Sequence, residues 1–313
     1  MNRHVPETGT GKYEQLLERC KGLDAVPTAV AHPCEKTALA GAIEAADAGL
    51  ITPILVGPRA TIVALAKAKG IDLGGVEIVD VGESRAAAAK AVALVREGRA
   101  ELLMKGSLHS DEILGAVVAK DGLRTGRRLS HVFLMDVPTY HKPLIITDAA
   151  INIAPTLEDK VDICQNAIDL AKSFGVERPK VAILSAVETV NSKMPATLDA
   201  AALCKMAERG QITGGLLDGP LAFDNAISRD AARIKGIVSE VAGDPDILLA
   251  PDLEAGNMVA KQLSFLANAD SAGLVLGARV PVILTSRADS LRSRIASCAV
   301  AVLAAHARRQ ASH

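Results

Sequence analysis

The sequence predicts an α/β fold, in which a parallel β-sheet carries helices on both faces. Short β-branched runs alternate with longer Ala-rich segments almost from end to end, as expected for repeated strand–helix units. The composition agrees, because 49% of the residues are hydrophobic, Trp is absent and only 2% are aromatic, so small aliphatic side chains must fill the interior. With 313 residues, the chain is long enough for two domains.

The first part of the chain alternates regularly between strands and helices. Strands are predicted at 28–32, 52–57, 76–81 and 102–105, and helices at 36–48, 59–69 and 84–97. Parallel strands of this kind are joined by right-handed crossovers, and ligands bind at the carboxyl ends of the strands. Polar residues that directly follow a predicted strand are therefore the first candidates for a functional site.

The alternation falters between Leu129 and Asn152, where two strand-like runs, 129–137 and 144–147, follow each other without a helix. A strand-rich join of this kind predicts a domain boundary. Alternation then resumes, with helices predicted at 157–174, 195–209, 256–266 and 290–308, and strands at 180–185, 215–217, 246–250, 272–276 and 280–284.

Charge and hydropathy exclude two kinds of partner. Because 35 Lys and Arg balance 36 Asp and Glu without any basic tract, a nucleic-acid partner is not expected. No run of about 20 uncharged apolar residues is present, and residues 1–11 lack the apolar segment of a signal peptide. We therefore expect no membrane partner and a cytoplasmic location.

The cysteines and histidines do not predict a metal site. Five cysteines and seven histidines are scattered without a CxxC, HExxH or other closely paired ligand spacing. The thiols are therefore expected to be reduced and structural, and no metal is expected.

The familiar glycine-rich phosphate loops are also missing. The segment GTGK at 9–12 lacks the leading glycine of a P-loop and has Tyr13 where Ser or Thr is required, so it is interpreted as an unstructured N-terminus. No GxGxxG follows the first strand, which argues against a dinucleotide-binding fold of the usual kind.

Three polar segments lie where α/β enzymes present their chemistry. The segment 104–111 (MKGSLHSD) follows a strand and opens a helix, 122–131 (GLRTGRRLSH) brings three arginines before a strand, and 285–290 (TSRADS) precedes the last helix. Arg and Lys beside helix N-termini suit phosphate. Helix capping by Ser110, Asp111, Asp289 or Ser290, and a solvated arginine turn, remain open as alternatives.

Together these segments resemble the phosphate acetyltransferase and phosphate butyryltransferase family, from about Thr28 to Ala304. The strongest matches are KGSLH at 105–109, ITDAAINIAP at 146–155, PDLEAGN at 251–257 and TSRADS at 285–290. The resemblance implies reversible transfer of a short acyl group between coenzyme A and inorganic phosphate, with coenzyme A as a substrate and no tightly bound cofactor. The acyl preference, acetyl, butyryl or similar, stays open.

The resemblance also implies a fold of the isopropylmalate-dehydrogenase type, with three layers and a cleft between two α/β domains. The first domain would comprise residues 1–140 and 285–313, and the second residues 141–284. A homodimer is expected on the same ground.

Site residues are carried over from the matching motifs. Ser286 and Arg287 match the family's catalytic pair; Arg287 would bind the acyl phosphate and Ser286 the developing oxyanion. The acid that follows this pair in the acetyl-specific branch is absent here, so Asp289 is the predicted base. The predicted phosphate ligands are Lys105, Ser107, His109, Arg124 and Ser130, and the predicted coenzyme A ligands are Asp148, Asn152, Asp252 and Asn257.

Two other functions remain open at this stage. A metal- and NAD-dependent dehydrogenase of the isopropylmalate or hydroxythreonine-phosphate type would share the expected fold, and the segment GPL at 219–221 is similar to one of its motifs. A non-catalytic coenzyme A binding module would explain the missing acid near Ser286.

Overall fold

A computed structural model describes residues 11–285 and 289–311 of the chain. Within these residues the chain forms eleven strands and eleven helices around one sheet. The strands are β1 (Val26–Ala31), β2 (Ile51–Gly57), β3 (Glu77–Asp80), β4 (Leu102–Lys105), β5 (Ser130–Asp136), β6 (Leu144–Thr147), β7 (Lys180–Leu184), β8 (Leu216–Leu221), β9 (Ile247–Leu249), β10 (Asp270–Leu276) and β11 (Val282–Ile283). The helices are α1 (Lys12–Cys20), α2 (Lys36–Asp47), α3 (Arg59–Lys69), α4 (Ser84–Arg96), α5 (Ser110–Val118), α6 (Leu157–Ser173), α7 (Pro195–Glu208), α8 (Phe223–Ile227), α9 (Arg229–Ile234), α10 (Leu253–Leu266) and α11 (Leu291–Ala311).

The sheet has the strand order β3-β2-β1-β4-β11-β10-β5-β6-β9-β7-β8. Its outer parts are parallel, as predicted, but β10 runs antiparallel to β11 and β5, and β5 runs antiparallel to β6. The predicted parallel arrangement therefore holds in the two outer parts of the sheet, and the centre is antiparallel. The reason is the length of the connections: only residues 137–143 join β5 to β6, whereas a parallel crossover needs about a dozen residues or more.

Helices cover both faces of the sheet and give the three layers that were predicted. On one face, Val30 of β1 belongs to a hydrophobic cluster with side chains of α2, α6 and α11. On the other face, Ala29 and Ala31 of the same strand pack with α4 and α5, and a further cluster joins β6 and β9 to α10. The described helices include none that is long and apolar enough to cross a membrane.

Element bounds differ from the predictions where a local signal was weak. Helix α1 begins at Lys12, in the segment predicted to be unstructured, and the Lys12 ammonium is buried against the Asp136 carboxylate at 2.9 Å. Helix α10 begins three residues earlier than predicted because the Asp252 carboxylate accepts a hydrogen bond from the amide of Ala255 at 2.8 Å and caps the helix.

All five cysteines are free thiols. Burial raises the pKa of Cys20 to about 11 and that of Cys298 to about 12, so these two groups stay protonated at neutral pH. This agrees with the structural role predicted for them.

Candidate active site

One row of paired residues crosses the centre of the sheet and sets the geometry of the candidate site. The row runs through five neighbouring strands, as Met104, Ile283, Leu274, Val132 and Thr147. Strands β4 and β6 run in opposite directions, but each of them ends within one residue of this row. The residues that directly follow the row on these two strands, Lys105 and Asp148, therefore come from different parts of the sheet and lie near its middle.

Because side chains alternate along a strand, the residues beside the row point to the opposite face. Four of them, Lys105, Leu284, His131 and Phe133, line an opening of about 350 Å³, here called the central cleft. It is lined by Lys105, Leu108, His109, Ser110, His131, Phe133, Ala150, Asn257, Lys261, Leu284, Thr285 and Asp289. The cleft combines cations with one carboxylate and an apolar wall, a composition that suits a small ligand with an anionic group and an apolar group.

Lys105 brings a positive charge into the cleft from the end of β4. The residue is 6% exposed, and its Nζ donates to the backbone oxygen of Thr285 at 3.4 Å. The Thr285 hydroxyl in turn accepts a hydrogen bond from Nη1 of the buried Arg294 at 2.8 Å. Burial lowers the pKa of Arg294, whereas the Asp289 carboxylate opposes this effect. A second cationic side chain therefore lies behind the cleft.

The turn after Lys105 approaches the end of β1 so closely that only glycine fits. A Cβ on Gly106 would lie 2.3 Å from the backbone oxygen of Ala31. The next residue, Ser107, donates its hydroxyl proton to the backbone oxygen of His32 at 2.7 Å and accepts from the amide of Cys34 at 2.9 Å. Its single proton is thus engaged within the protein, and its predicted role as a phosphate ligand competes with this bond.

His109 and Asp289 reach the cleft from two helix starts. His109 is the N-cap of α5, and its amide donates to Glu112 Oε2 at 2.9 Å while its side chain is exposed at the cleft. The alternative in which Ser110 or Asp111 caps this helix is therefore wrong. Asp289 precedes α11 and lines the same cleft.

His131 is a cleft residue that was not included among the predicted ligands. The side chain is 2% exposed, its ring meets Phe133 edge to face at 4.4 Å, and Nδ1 is buried without a hydrogen-bond partner in the described part of the chain. Burial lowers the pKa of His131 to about 4; the Asp148 carboxylate opposes this shift and the Lys261 ammonium adds to it. The imidazole is therefore neutral at pH 7.

Asp148, Asn152 and Ser130 form a buried network next to His131. The Asp148 carboxylate accepts from the amides of Ala150 and Ile151 at 2.8 and 3.1 Å, and also from Asn152. Asn152 Nδ2 donates to the backbone oxygen of Leu129 at 2.8 Å. The Ser130 hydroxyl accepts from the Asn166 amide at 2.9 Å. These three predicted ligands do not line the central cleft. The bonds of Asp148 and Asn152 fix the loop after β6, whereas the bond of Ser130 joins the start of β5 to α6.

Of the remaining predicted ligands, one lies in the cleft and two do not. Asn257 lines it, and its Nδ2 donates to the backbone oxygen of Ala149 at 3.0 Å. Asp252 caps α10, and Arg124 is exposed in the loop before β5, where its backbone pairs with Ala278. Ser286 and Arg287 lie outside the described residues.

The structure thus brings together Lys105, His109, Asn257 and Asp289 of the predicted site residues. It adds His131, Phe133 and Lys261, which the motifs did not select. For His131 a signal existed, because it follows the arginine turn at the start of a strand; Lys261, inside a helix, gave none. Among the described residues, no three His, Cys, Asp or Glu side chains are grouped to hold a metal ion.

Comparison with known sequences identifies relatives along nearly the whole chain. Residues 83–302 match the family described as "Phosphate acetyl/butaryl transferase". The chain is 66% identical over 301 residues to the phosphate acetyltransferase of Rhizobium meliloti, covering 96% of this chain and 95% of that protein. It is 41% identical to the phosphate butyryltransferase of Clostridium acetobutylicum, covering 94% of this chain and 98% of that one.

Solved structures support the fold. A branched-chain phosphotransacylase from Enterococcus faecalis V583 superimposes with a TM-score of 0.77 at 29% identity, covering 90% of this chain and 99% of that one. A phosphotransacetylase from Streptococcus pyogenes superimposes with a TM-score of 0.80 at 23% identity, covering 96% and 99% of the two chains. The predicted α/β fold is therefore confirmed.

Proposed function

Because the chain belongs to the phosphate acetyl/butyryl transferase family, we propose that its central cleft moves an acetyl group between coenzyme A and inorganic phosphate. The observation that carries the proposal is the lining of the cleft, where Lys105 and Lys261 adjoin the apolar side chains of Leu108, Phe133 and Leu284. Lysines suit the phosphate, and the apolar wall suits a short acyl chain. The family favours an acyltransferase over the dehydrogenase alternative.

Acetyl is proposed as the acyl group because the relative at 66% identity carries the name phosphate acetyltransferase, whereas the butyryltransferase is 41% identical. The acid that follows Ser286 and Arg287 in the acetyl-specific branch is absent here, so butyryl is the competing acyl group.

The proposed reaction is a direct exchange at one carbonyl carbon. The thiolate of coenzyme A attacks the carbonyl carbon of acetyl phosphate, the C–S bond forms, the C–O bond to phosphate breaks, and phosphate leaves with the bonding electrons. Asp289 is the proposed acceptor of the thiol proton, and Lys105 and His109 are proposed to hold the phosphate. Ser286 and Arg287 keep the roles implied by the family motif, at the oxyanion and the acyl phosphate. The exchange is redox-neutral, so it requires no redox cofactor.

The proposal assigns the buried network an indirect part. Asp148 and Asn152 would shape the loop on which Ala150 lines the cleft, and Asn257 would fix the same loop through Ala149. Asp252 would act through α10, which carries Lys261 and which it caps. These four residues, which are the predicted coenzyme A ligands, are therefore proposed to position the wall of the cleft.

We also propose that the chain has two domains, the first formed by residues 1–140 with 285–313 and the second by residues 141–284. The enzyme is proposed to act in the cytoplasm. Free thiols at all five cysteines are in keeping with a reducing compartment. A homodimer is supported by α10, which exposes the apolar side chains of Met258, Phe265 and Leu266.

Light scattering tests the dimer. We expect a mass of about twice 32.5 kDa for the parent protein and a shift toward 32.5 kDa for Phe265→Asp. Val238→Asp, at an apolar residue outside α10 that is fully exposed, is the control and should leave the mass unchanged. A parent protein that runs as a monomer would contradict the dimer.

Thiol release measured with acetyl-, propionyl-, butyryl- and isobutyryl-CoA tests the reaction. We expect the release of the coenzyme A thiol to depend on phosphate for every acyl group that fits the apolar wall. The value of kcat/KM should be highest with acetyl-CoA. Release that does not depend on phosphate would indicate a hydrolase. Ligand binding without release of thiol from any substrate would favour the binding-module alternative.

A further inference from the structure

We propose that His131 is a further catalytic residue of this cleft, which donates a hydrogen bond from Nε2–H to the carbonyl oxygen of the acyl group. The inference rests on the acyl transfer proposed above. It assigns a distinct role to a residue that was not selected from the sequence motifs.

The position of His131 comes from the register of the sheet. The residue precedes Val132 of the central row, so its side chain points away from the hydrophobic cluster that contains Val132 and toward the central cleft. Phe133, two residues on, faces the same way and supports the ring at a centroid distance of 4.4 Å. Both sit within the part of the cleft where the acyl group would lie.

A glycine on the neighbouring strand gives the imidazole its room. A Cβ on Gly273 would lie 3.3 Å from His131 Nε2 and 2.8 Å from the backbone oxygen of Leu284. The absence of a side chain at this position leaves space beside Nε2. The other ring nitrogen, Nδ1, is enclosed by protein.

The two nitrogens therefore have different roles. Nδ1 is buried and has no hydrogen-bond partner among the described residues. A buried N–H without an acceptor is rarer, and more unfavourable, than a buried lone pair without a donor. The neutral ring therefore carries its proton on Nε2. In this tautomer Nε2 is a hydrogen-bond donor and has no lone pair with which to accept a proton from a thiol.

The charges around the ring keep it in this state. Asp148 and Lys261 act on His131 from the loop after β6 and from α10, while Lys105, His109 and Asp289 share the cleft with it. Burial and Lys261 together outweigh Asp148, so the pKa stays near 4 and the ring does not gain a second proton above pH 6.

The chemical step uses this donor without moving its proton. As the C–S bond forms, negative charge grows on the carbonyl oxygen, and the Nε2–H bond to that oxygen strengthens. As the C–O bond to phosphate breaks, the charge leaves with phosphate and the bond weakens again. A fixed neutral donor of this kind is worth about 10²–10³ in kcat when it is removed.

The test compares His131→Phe, which keeps an aromatic ring against Phe133 but has no N–H, with His131→Gln, whose amide can donate from a similar position. We expect His131→Phe to lower kcat about 100-fold or more, with the KM for acetyl-CoA changed less than threefold. His131→Gln should be at least tenfold faster than His131→Phe, and the pH dependence of kcat between pH 6 and 9 should keep its shape in both variants.

A kcat for His131→Phe within threefold of the parent would overturn the proposal. So would a His131→Gln variant no faster than His131→Phe at unchanged melting temperature, since a base or a merely structural histidine predicts no rescue by an amide.

The ¹⁵N spectrum of the histidine-labelled parent gives a second readout that needs no folded variant of the ring. It should show a neutral His131 protonated at Nε2 whose signal shifts when acetyl-CoA is added, and a cationic ring or an unshifted signal contradicts the proposal. A parent enzyme without any turnover would instead refute the acyl transfer itself.

Discussion

At the residue scale, the chemistry of the cleft depends on where each proton is already used. Ser107 illustrates this point, because a motif match makes its hydroxyl a phosphate ligand while the bond to His32 takes its only proton. Lys105 differs, because an ammonium has three donors, so the bond to Thr285 does not take its only proton. A sequence identifies the residue type at a site, but the partner that claims its proton depends on the loop beside it.

Arg287 gives the sharpest prediction at this scale, since its role comes from the family motif. Arg287→Ala should lower kcat about 10²–10³-fold without a change in melting temperature, and Arg287→Lys should recover little because an ammonium lacks the planar fork. The matched control is Arg292→Ala. That side chain pairs with Asp270 at 2.6 Å and stacks on Tyr13, so its loss should affect stability and leave turnover nearly unchanged. Less than a threefold loss of kcat in Arg287→Ala would rule out the assigned role.

At the element scale, the position of α10 decides whether Lys261 and Asn257 reach the cleft. The helix packs against the loop after β6 at Gly256, where a Cβ would lie 2.2 Å from the backbone oxygen of Asp148. Close packing of this kind at a glycine, together with the Asp252 cap, fixes the start of the helix.

Two glycine substitutions in helices test this packing. Gly256→Ala should displace α10, lowering the free energy of unfolding by about 1–3 kcal/mol and reducing turnover with it. Gly115→Ala in α5 is the control, because a Cβ there would meet no atom within 4 Å. It should raise the free energy of unfolding by about 0.5–1 kcal/mol and leave turnover unchanged. Equal stability of the two variants in urea would contradict the proposed role of Gly256.

The elements also show how far the sequence can be interpreted. Strands such as β4 and β6 and helices such as α3 match their predicted bounds, because hydrophobic period is a local signal. Strand direction is not local, because it depends on which strands the short β5–β6 connection brings side by side in the sheet. The motifs selected Lys105, His109, Asn257 and Asp289 for the cleft, but Ser130 and Arg124 fall outside it because the central row, not chain order, decides which residues meet.

At the scale of the whole molecule, charged side chains join the amino ends of strands β6, β9 and β7. Asp244 contacts Lys142, Lys180 and Arg229, with distances of 3.2, 2.8 and 3.0 Å. Burial alone would raise the pKa of Asp244, but the bonds from Lys180 and Lys142 hold it well below its usual range. Its contribution to stability is therefore complete above the unfolded pKa of about 3.9 and is lost as the pH falls below that value.

Unfolding in urea at several pH values checks this assignment. Asp244→Asn should lower the free energy of unfolding by about 1.5–3 kcal/mol at pH 7, and its difference from the parent should shrink below about pH 4. Asp230→Asn is the control, because its carboxylate is exposed and, within the part of the chain that the structure describes, pairs only with Arg233 three residues on. A difference for Asp244→Asn that is the same at pH 7 and pH 3 would show that the ionised carboxylate is not the cause.

The central claim is that acyl transfer takes place in the cleft that is lined by Lys105 of β4 and Lys261 of α10. The value of kcat/KM for phosphate tests this claim most directly. Lys105→Met and Lys261→Met each remove a cation from the cleft, the first from the end of β4 and the second from α10. Lys160→Met removes a lysine that is as buried as Lys105 and lies outside the cleft, where it pairs with Asp199 at 2.6 Å. We predict that each cleft variant loses about ten- to a hundredfold in kcat/KM for phosphate, the scale of a charge-assisted hydrogen bond of about 1.5–3 kcal/mol, and that folded Lys160→Met keeps the parent value. Parent values of kcat/KM in folded Lys105→Met and Lys261→Met would place the reaction elsewhere and contradict the account.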